Sequence, residues 1–196
     1  MGFIFYPRSP RCVDDACVDA IRSCSKLKTG VFVNEQPEEI LRKVEKYRLN
    51  YVQLHGDESP DDCRRLQDAG CAVIKAFSVS SAADLEHTQD YAPFVDYLLF
   101  DTKGSERGGT GKRFHWPLLN AFRGGIPFLL SGGIGPEHLA DLHDFRHPLM
   151  AGIDLNSRFE SAPAMKDAAG VEEFVRKLRM QEQQVSSGNR TSIPCP

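Results

Sequence analysis

Seven short apolar runs recur along this chain at a nearly constant interval, and that interval constrains the fold more than any other feature. Their centres lie near residues 4, 31, 52, 74, 99, 129 and 152, which leaves spacings of 27, 21, 22, 25, 30 and 23 residues. The runs are continuously apolar rather than alternating, as strands buried on both faces are. Helical patterns fill the gaps. Asp14 precedes Ala16, Cys17, Ala20, Ile21 and Cys24 at helical spacing. Pro37, Glu38 and Glu39 open a helix that turns Ile40, Leu41, Val44 and Tyr47 inward. Ser59-Pro60 begins the next and Gly70 ends it. Ser80 caps a short helix, residues 116–122 form another, and Pro136 starts one carrying Leu139 and Leu142. A last amphipathic helix runs from about Val171, with Phe174, Val175 and Leu178 on one side. A strand–helix unit repeated at this period predicts a parallel α/β sheet.

Two architectures use such a repeat. A doubly wound sheet carries a glycine-rich phosphate fingerprint after its first strand; here that place is taken by Pro7-Arg8-Ser9-Pro10-Arg11. A (β/α)8 barrel spreads its distinctive polar residues over the ends of several strands. Arg11, His55, Asp101, Gly109, Gly132, Asp154 and Asn156 are spread in that way. The expected fold is therefore a TIM (β/α)8-type barrel with seven of its eight βα units present. Residues 1–180 would form the barrel domain, without the first strand and helix. Residues 181–196 are polar and lack periodicity, so they read as a disordered tail.

A chain of 196 residues is long enough for one domain with a sizeable core. A net charge of -3 with scattered Lys and Arg leaves no electrostatic footprint for nucleic acid. No apolar run approaches the roughly 20 residues of a membrane helix. The first six residues lack the basic region of a secretory signal. Tyr6 stands where a myristoylation site needs Ser or Thr. The six cysteines form no CxxC, and Cys17 and Cys24 fall at helix-core positions. Reduced thiols in a cytoplasmic protein fit this pattern better than disulfides or a metal site.

Chemistry concentrates in YLLFDTKGSERGGTGKRFHW, residues 97–116. Its apolar run ends in the carboxylate of Asp101, and a basic, glycine-rich segment follows, Gly108-Gly109-Thr110-Gly111-Lys112. A carboxylate at a strand end beside an anion-friendly loop suits acid–base chemistry on a phosphorylated substrate. Each candidate also has a plainer reading. Asp101 could be a turn residue, Arg11 a solvated loop cation, His55 a structural strand-end histidine, Gly132-Gly133 a tight turn and Asp154 a helix cap. Gln53 and Lys75 read as polar residues lining the core, without a role.

Taken together, GFIFYPRSPR, VFVNE, VQLHGDE, IKAF, LLFDTKGSERGGTGKRFHW, LLSGGI and GIDLNSRFE resemble the phosphoribosylanthranilate isomerase family, in family order from Gly2 to about Leu178. The resemblance implies an Amadori rearrangement of N-(5-phosphoribosyl)anthranilate to 1-(2-carboxyphenylamino)-1-deoxy-D-ribulose 5-phosphate in tryptophan biosynthesis, with no metal or organic cofactor. It makes Asp101 the general acid, a role that needs a proton held near neutral pH by partial burial or a neighbouring anion. It gives Arg11 the anthranilate carboxylate, which a planar guanidinium can bind through two parallel hydrogen bonds. His55 lines the pocket, and Asp154 lies near the substrate's hydroxyl and amine end. Phosphate falls to main-chain N–H groups at Gly109, Gly111, Gly132, Gly133, Asn156 and Ser157. The implied partner is the small phosphosugar–anthranilate substrate, with no nucleic acid and no membrane, and the family includes monomers and homodimers.

The family's first strand, of the form Lys-x-Cys-Gly, carries its general base, and that motif does not occur in these 196 residues. The expectation is a Met1 lying inside what would be the second strand, a chain impaired as written, and a longer cellular protein that supplies the Cys. Asn156-Ser157-Arg158-Phe159-Glu160 stands where the family usually has Ser-Ser-Gly-Val-Glu, and Ala164 replaces a family glycine. Two other readings remain open. One is a barrel remnant that binds phosphate or anthranilate without turnover. The other is a histidine-pathway isomerase, which would show a paired-aspartate, two-half repeat not seen in this sequence.

Overall fold

Each apolar run becomes a strand: β1 Gly2–Ile4, β2 Thr29–Phe32, β3 Tyr51–Leu54, β4 Ala72–Ser78, β5 Tyr97–Asp101, β6 Phe128–Ser131 and β7 Met150–Ile153. The computed structural model describes residues 1–101 and 116–188. All six neighbouring pairs are parallel, and the sheet order is the sequence order, β1 to β7. A doubly wound sheet reverses its order at a switch point; this one does not. Sequential parallel strands joined by helical crossovers are the (β/α)8 arrangement, here with seven strands.

The helices are α1 Val18–Ser23, α2 Pro37–Tyr47, α3 Pro60–Asp68, α4 Leu139–Asp144 and α5 Ala168–Gly188. Their starts follow the sequence signals. Ser59 and Asp62 form a reciprocal capping box on α3, and Gly70, at φ +86°, closes the turn after it. The crossover after β4 holds a 3₁₀ segment, Ala82–Phe94, and the described part of the crossover after β5 holds another, Trp116–Ala121. Pro93 inside the first of these is incompatible with a continuous α-helix. Two local expectations need correction. Asp14 caps a single 3₁₀ turn, Asp15–Cys17, ahead of α1; α1 buries only Ile21, and Cys17 is exposed. The periodicity misleads there because the turn breaks the helical phase before the helix begins. The last helix also continues to Gly188, beyond the boundary drawn at residue 180.

The chain forms two compact units: Met1–Gly132 with Leu149–Asp154, and Gly133–Pro148 with the chain from Leu155 onward. The first unit holds the whole sheet. Strand alternation sorts its side chains onto two faces. One face gathers Ile74, Ala76 and Leu99, with Tyr51, Tyr97 and Leu129 packed against them. The opposite face carries Val52, Leu54, Val73, Leu98, Phe100, Phe128 and Leu130, all nearly or wholly buried. Phe100 packs at 5.1 Å on Phe122 and 5.0 Å on Phe128.

In the second unit α4 packs on α5, and Phe159 meets Phe174 at 5.1 Å. A two-stranded antiparallel hairpin, β8 Glu160–Ala162 with β9 Met165–Lys166, turns at Ala164, whose φ is +68°. Ala164 therefore holds a left-handed backbone that glycine adopts without cost, at the position where the family's glycine is replaced. No helix of the described residues is long and apolar enough to cross a membrane.

Candidate active site

The C-terminal end of β3 is held by a buried carboxylate. Glu58, 5% exposed, accepts hydrogen bonds from the main-chain N–H groups of Asn34 (2.8 Å) and Gly56 (2.9 Å). Lys75, on the helix-facing side of β4 and 2% exposed, donates to Glu58 at 3.1 Å and to the carbonyl of Gly56 at 2.8 Å. Its ammonium also reaches the carbonyls of Leu54 and Ala76. Asn34, at φ +52°, accepts from the Asp57 N–H at 2.6 Å, and the Tyr91 hydroxyl donates to the Glu58 carbonyl at 3.0 Å. An ion pair with only 3% of either side chain exposed survives when hydrogen bonds satisfy its remaining donors and acceptors, as they do here. Cys63 of α3 borders this network. Burial pushes its thiol up to about 12, against the pull of the Lys75 charge. Burial likewise raises the Tyr91 phenol above its ordinary value.

This loop presents His55 on the other face of the sheet, the face of Ile74, Ala76 and Leu99. The His55 N–H is tied to the Phe32 carbonyl at 2.8 Å. Its ring lies between two partners: Nδ1 is 2.8 Å from the Gln53 amide nitrogen, and Nε2 is 3.5 Å from Asp101 Oδ2. Gln53 shares this face because it sits two residues before His55. Asp101 shares it two residues beyond Leu99. Both ring and carboxylate are partly buried, with 33% and 22% of their side chains exposed.

Asp101 is also the register partner of Ser131 at the end of β6. The Ser131 hydroxyl donates to Asp154 Oδ2 at 2.9 Å, and the Asp154 N–H is fixed to the Leu130 carbonyl at 2.7 Å. His55, Asp101, Ser131 and Asp154 thus follow one another along the strand ends of the first unit. Gly132 comes directly after Ser131 at φ +106°, and Gly133 follows at φ +64°. Both are left-handed conformations that a side chain would strain. Arg11 precedes Cys12, which bridges to Ile4, while the Val13 N–H donates to the Ile4 carbonyl at 2.8 Å. The loop after β1 thereby folds back along that strand and carries Arg11 at its end.

Gly133, Asn156 and Ser157 belong to the second unit. Asn156 precedes a single 3₁₀ turn, Ser157–Phe159, and its side-chain oxygen accepts from Lys166 at 2.5 Å. Gly109 and Gly111 lie outside the described residues. The five described cysteines divide into exposed Cys12 and Cys17, intermediate Cys24 and Cys71, and buried Cys63; none lies in a sheet strand.

Sequence reasoning placed His55, Asp101 and Asp154 but left Gln53 and Lys75 without roles and passed over Ser131 and Glu58. A signal was available for Gln53. A large amide on a strand face otherwise shared by apolar residues, two positions before a histidine, implies a hydrogen-bond partner. The Lys75–Glu58 pair carried no such signal, because it joins the loop after β3 to β4.

A family model described as N-(5'phosphoribosyl)anthranilate (PRA) isomerase matches residues 1–177. The N-(5'-phosphoribosyl)anthranilate isomerase of Phocaeicola vulgatus is 48% identical over 183 residues, which are 93% of this chain and 88% of that protein. A solved phosphoribosyl anthranilate isomerase from Thermotoga maritima is 36% identical with a TM-score of 0.77, covering 91% of this chain and 87% of that one. A phosphoribosyl anthranilate isomerase solved in complex with reduced 1-(o-carboxyphenylamino)-1-deoxyribulose 5-phosphate is 33% identical with a TM-score of 0.75, covering 91% and 86%.

Proposed function

The chain belongs to the N-(5'-phosphoribosyl)anthranilate isomerase family, and from that membership we propose how its residues divide the reaction. The reaction is the Amadori rearrangement of N-(5-phosphoribosyl)anthranilate to 1-(2-carboxyphenylamino)-1-deoxy-D-ribulose 5-phosphate, a step of tryptophan biosynthesis. In our reading Asp101 is the general acid. It gives its proton to the furanose ring oxygen, the C1–O bond breaks, and the anilino nitrogen's lone pair forms the C1=N Schiff base. Loss of the C2 proton to a base then gives the enolamine. The enol hydroxyl loses its proton as C1 gains one, and the ketone results.

The observation that carries this reading is the partly buried Asp101 carboxylate at a strand end, 3.5 Å from a ring nitrogen of His55. His55 and Asp154 line the sugar and amine end, Arg11 faces the anthranilate carboxylate, and main-chain N–H groups at Gly109, Gly111, Gly132, Gly133, Asn156 and Ser157 take the phosphate. The positive φ of Gly132 and Gly133 supports that last assignment, since N–H groups without an adjoining Cβ admit an anion closely. The proton acceptor at C2 in this reading is the thiolate of a Lys-x-Cys-Gly strand, a motif that does not occur in these 196 residues; such a base is typically worth about 10²–10⁴ in rate. We place the protein in the cytoplasm, as a monomer or homodimer, with no nucleic-acid or membrane partner.

The test follows the fluorescence loss of phosphoribosylanthranilate generated in situ. It compares this chain with a form extended N-terminally by a Lys-x-Cys-Gly strand, each with and without Asp101→Asn. The substitution is expected to lower kcat by about 10²–10⁴ in the extended form. Unchanged turnover there removes Asp101 from the acid role. Full turnover of the unextended chain places the C2 proton acceptor elsewhere.

A further inference from the structure

We propose that Gln53 is a positioning residue for the acid. It fixes the ring of His55 and its tautomer, so that Nε2 presents an N–H to Asp101. The inference deepens the reading of Asp101 as general acid and rests on it.

Gln53 lies in the middle of the site's face and is 8% exposed. Its amide nitrogen stands 2.8 Å from His55 Nδ1. An amide nitrogen only donates, so Nδ1 must accept, and in a neutral imidazole the proton then resides on Nε2. Nε2 is the atom that faces Asp101 Oδ2, at 3.5 Å. The reverse amide orientation would put the proton on Nδ1 and leave Nε2 an acceptor, with no N–H to offer the carboxylate that forms when Asp101 gives up its proton. Among the described residues, two charged groups of the neighbouring loop and strand have partners of their own. Lys75 of β4 is bound to Glu58 of the same loop, and Asp57 is bound to Asn34 from the end of β2.

Consider what the acid requires. When Asp101 surrenders its proton to the ring oxygen, a carboxylate forms in a partly buried place. A donor already aimed at Oδ2 stabilises that charge and leaves Oδ1 as the oxygen that carries the transferable proton. The stabilisation appears only as the charge develops, so it acts on kcat rather than on binding. Without Gln53 the ring could exchange tautomers or turn about χ2, and the donor would be present only part of the time.

The experiment is histidine-selective 15N NMR of the full chain, with the His55 signal assigned by its loss in His55→Gln. The expected spectrum is that of the neutral tautomer protonated at Nε2. In Gln53→Leu, which keeps the volume and removes the donor, the signal should move towards a mixture of tautomers. In Gln53→Glu a carboxylate accepts from Nδ1, and His55 should stay doubly protonated to higher pH than in the parent. In the extended form, Gln53→Leu should lower kcat about tenfold to a hundredfold, the range for loss of a ligand-orienting partner, with KM changed less than kcat. A parent spectrum showing the Nδ1-protonated tautomer overturns the proposal, as does a Gln53→Leu chain with an unaltered His55 signal. Should Gln53→Leu fail to fold, the parent spectrum and Gln53→Glu still decide. The tautomer is read without turnover, so its failure is distinct from a failure of the acid assignment.

Discussion

At the end of β3 the chain turns around a buried ion pair. Glu58 takes the N–H groups of Asn34 and Gly56, and Lys75 holds Glu58 and the Gly56 carbonyl from the next strand. At the end of β6 the turn after Ser131 is made by main chain, with Gly132 and Gly133 at φ +106° and +64°. In the reading proposed above the two strand ends suit different chemistry. A side chain that must face one partner, as His55 faces Asp101, needs a loop with many fixed contacts. An anion would be recognised there by N–H groups and would tolerate their exact aim, so glycines without side chains would suffice. The cost differs as well. A side-chain knot is lost when one member is removed, whereas a glycine turn is lost only when a side chain is added.

That contrast is open to attack by substitution. The largest effect should come from Lys75→Met, which leaves Glu58 charged and only 3% exposed without its cation. The expected loss is about 3–5 kcal/mol of unfolding free energy, read by urea denaturation. Adding Glu58→Leu should recover only part of it, because the Asn34 and Gly56 N–H groups would then be buried without acceptors. Full recovery would mean that the knot is merely tolerated.

Glycine substitutions should come next and divide by mechanism. A Cβ at Gly56 would meet the Asn34 main-chain nitrogen at 2.9 Å, so Gly56→Ala should cost about 1–3 kcal/mol and disturb His55. A Cβ at Gly133 would meet nothing within 4 Å, so Gly133→Ala should cost only the left-handed backbone, about 1–2 kcal/mol, and leave His55 unmoved. Equal disturbance of the His55 signal by both would erase the distinction. In the second unit Ala164 already bears the strain that Gly133→Ala would introduce, so Ala164→Gly should stabilise by about 0.5–1 kcal/mol.

The smallest effect concerns thiol chemistry. With its thiol at about 12, Cys63 is neutral at pH 8 and should resist alkylation in the folded chain, while exposed Cys12 and Cys17 react. The charge of Lys75 draws the Cys63 thiol downward, so in Lys75→Met any faster labelling of Cys63 must report opening of the fold rather than a more acidic thiol. Mass spectrometry of the labelled chain distinguishes the sites.

The strands were legible in the sequence because continuous apolar runs are local, and their period fixed a parallel sheet in sequential order. Ser59-Pro60 and Gly70 marked α3 for the same reason: start and stop signals lie within a few residues of a helix's own ends. Asp101, His55 and Asp154 were legible as polar residues at the ends of such runs. Where local signals conflicted, the reading failed. Cys17 has helical spacing from Ile21 yet lies exposed, since a 3₁₀ turn interrupts the phase.

The repeat, the strand ends and the family of the motifs are properties of the chain as written. Which side chains meet is settled by folding: Lys75 with Glu58 across 17 residues, Ser131 with Asp154 across 23, and Gln53 with the ring that faces Asp101. A strand alternates its side chains between two faces. Neighbours in the chain part company there, and register between strands chooses the partners.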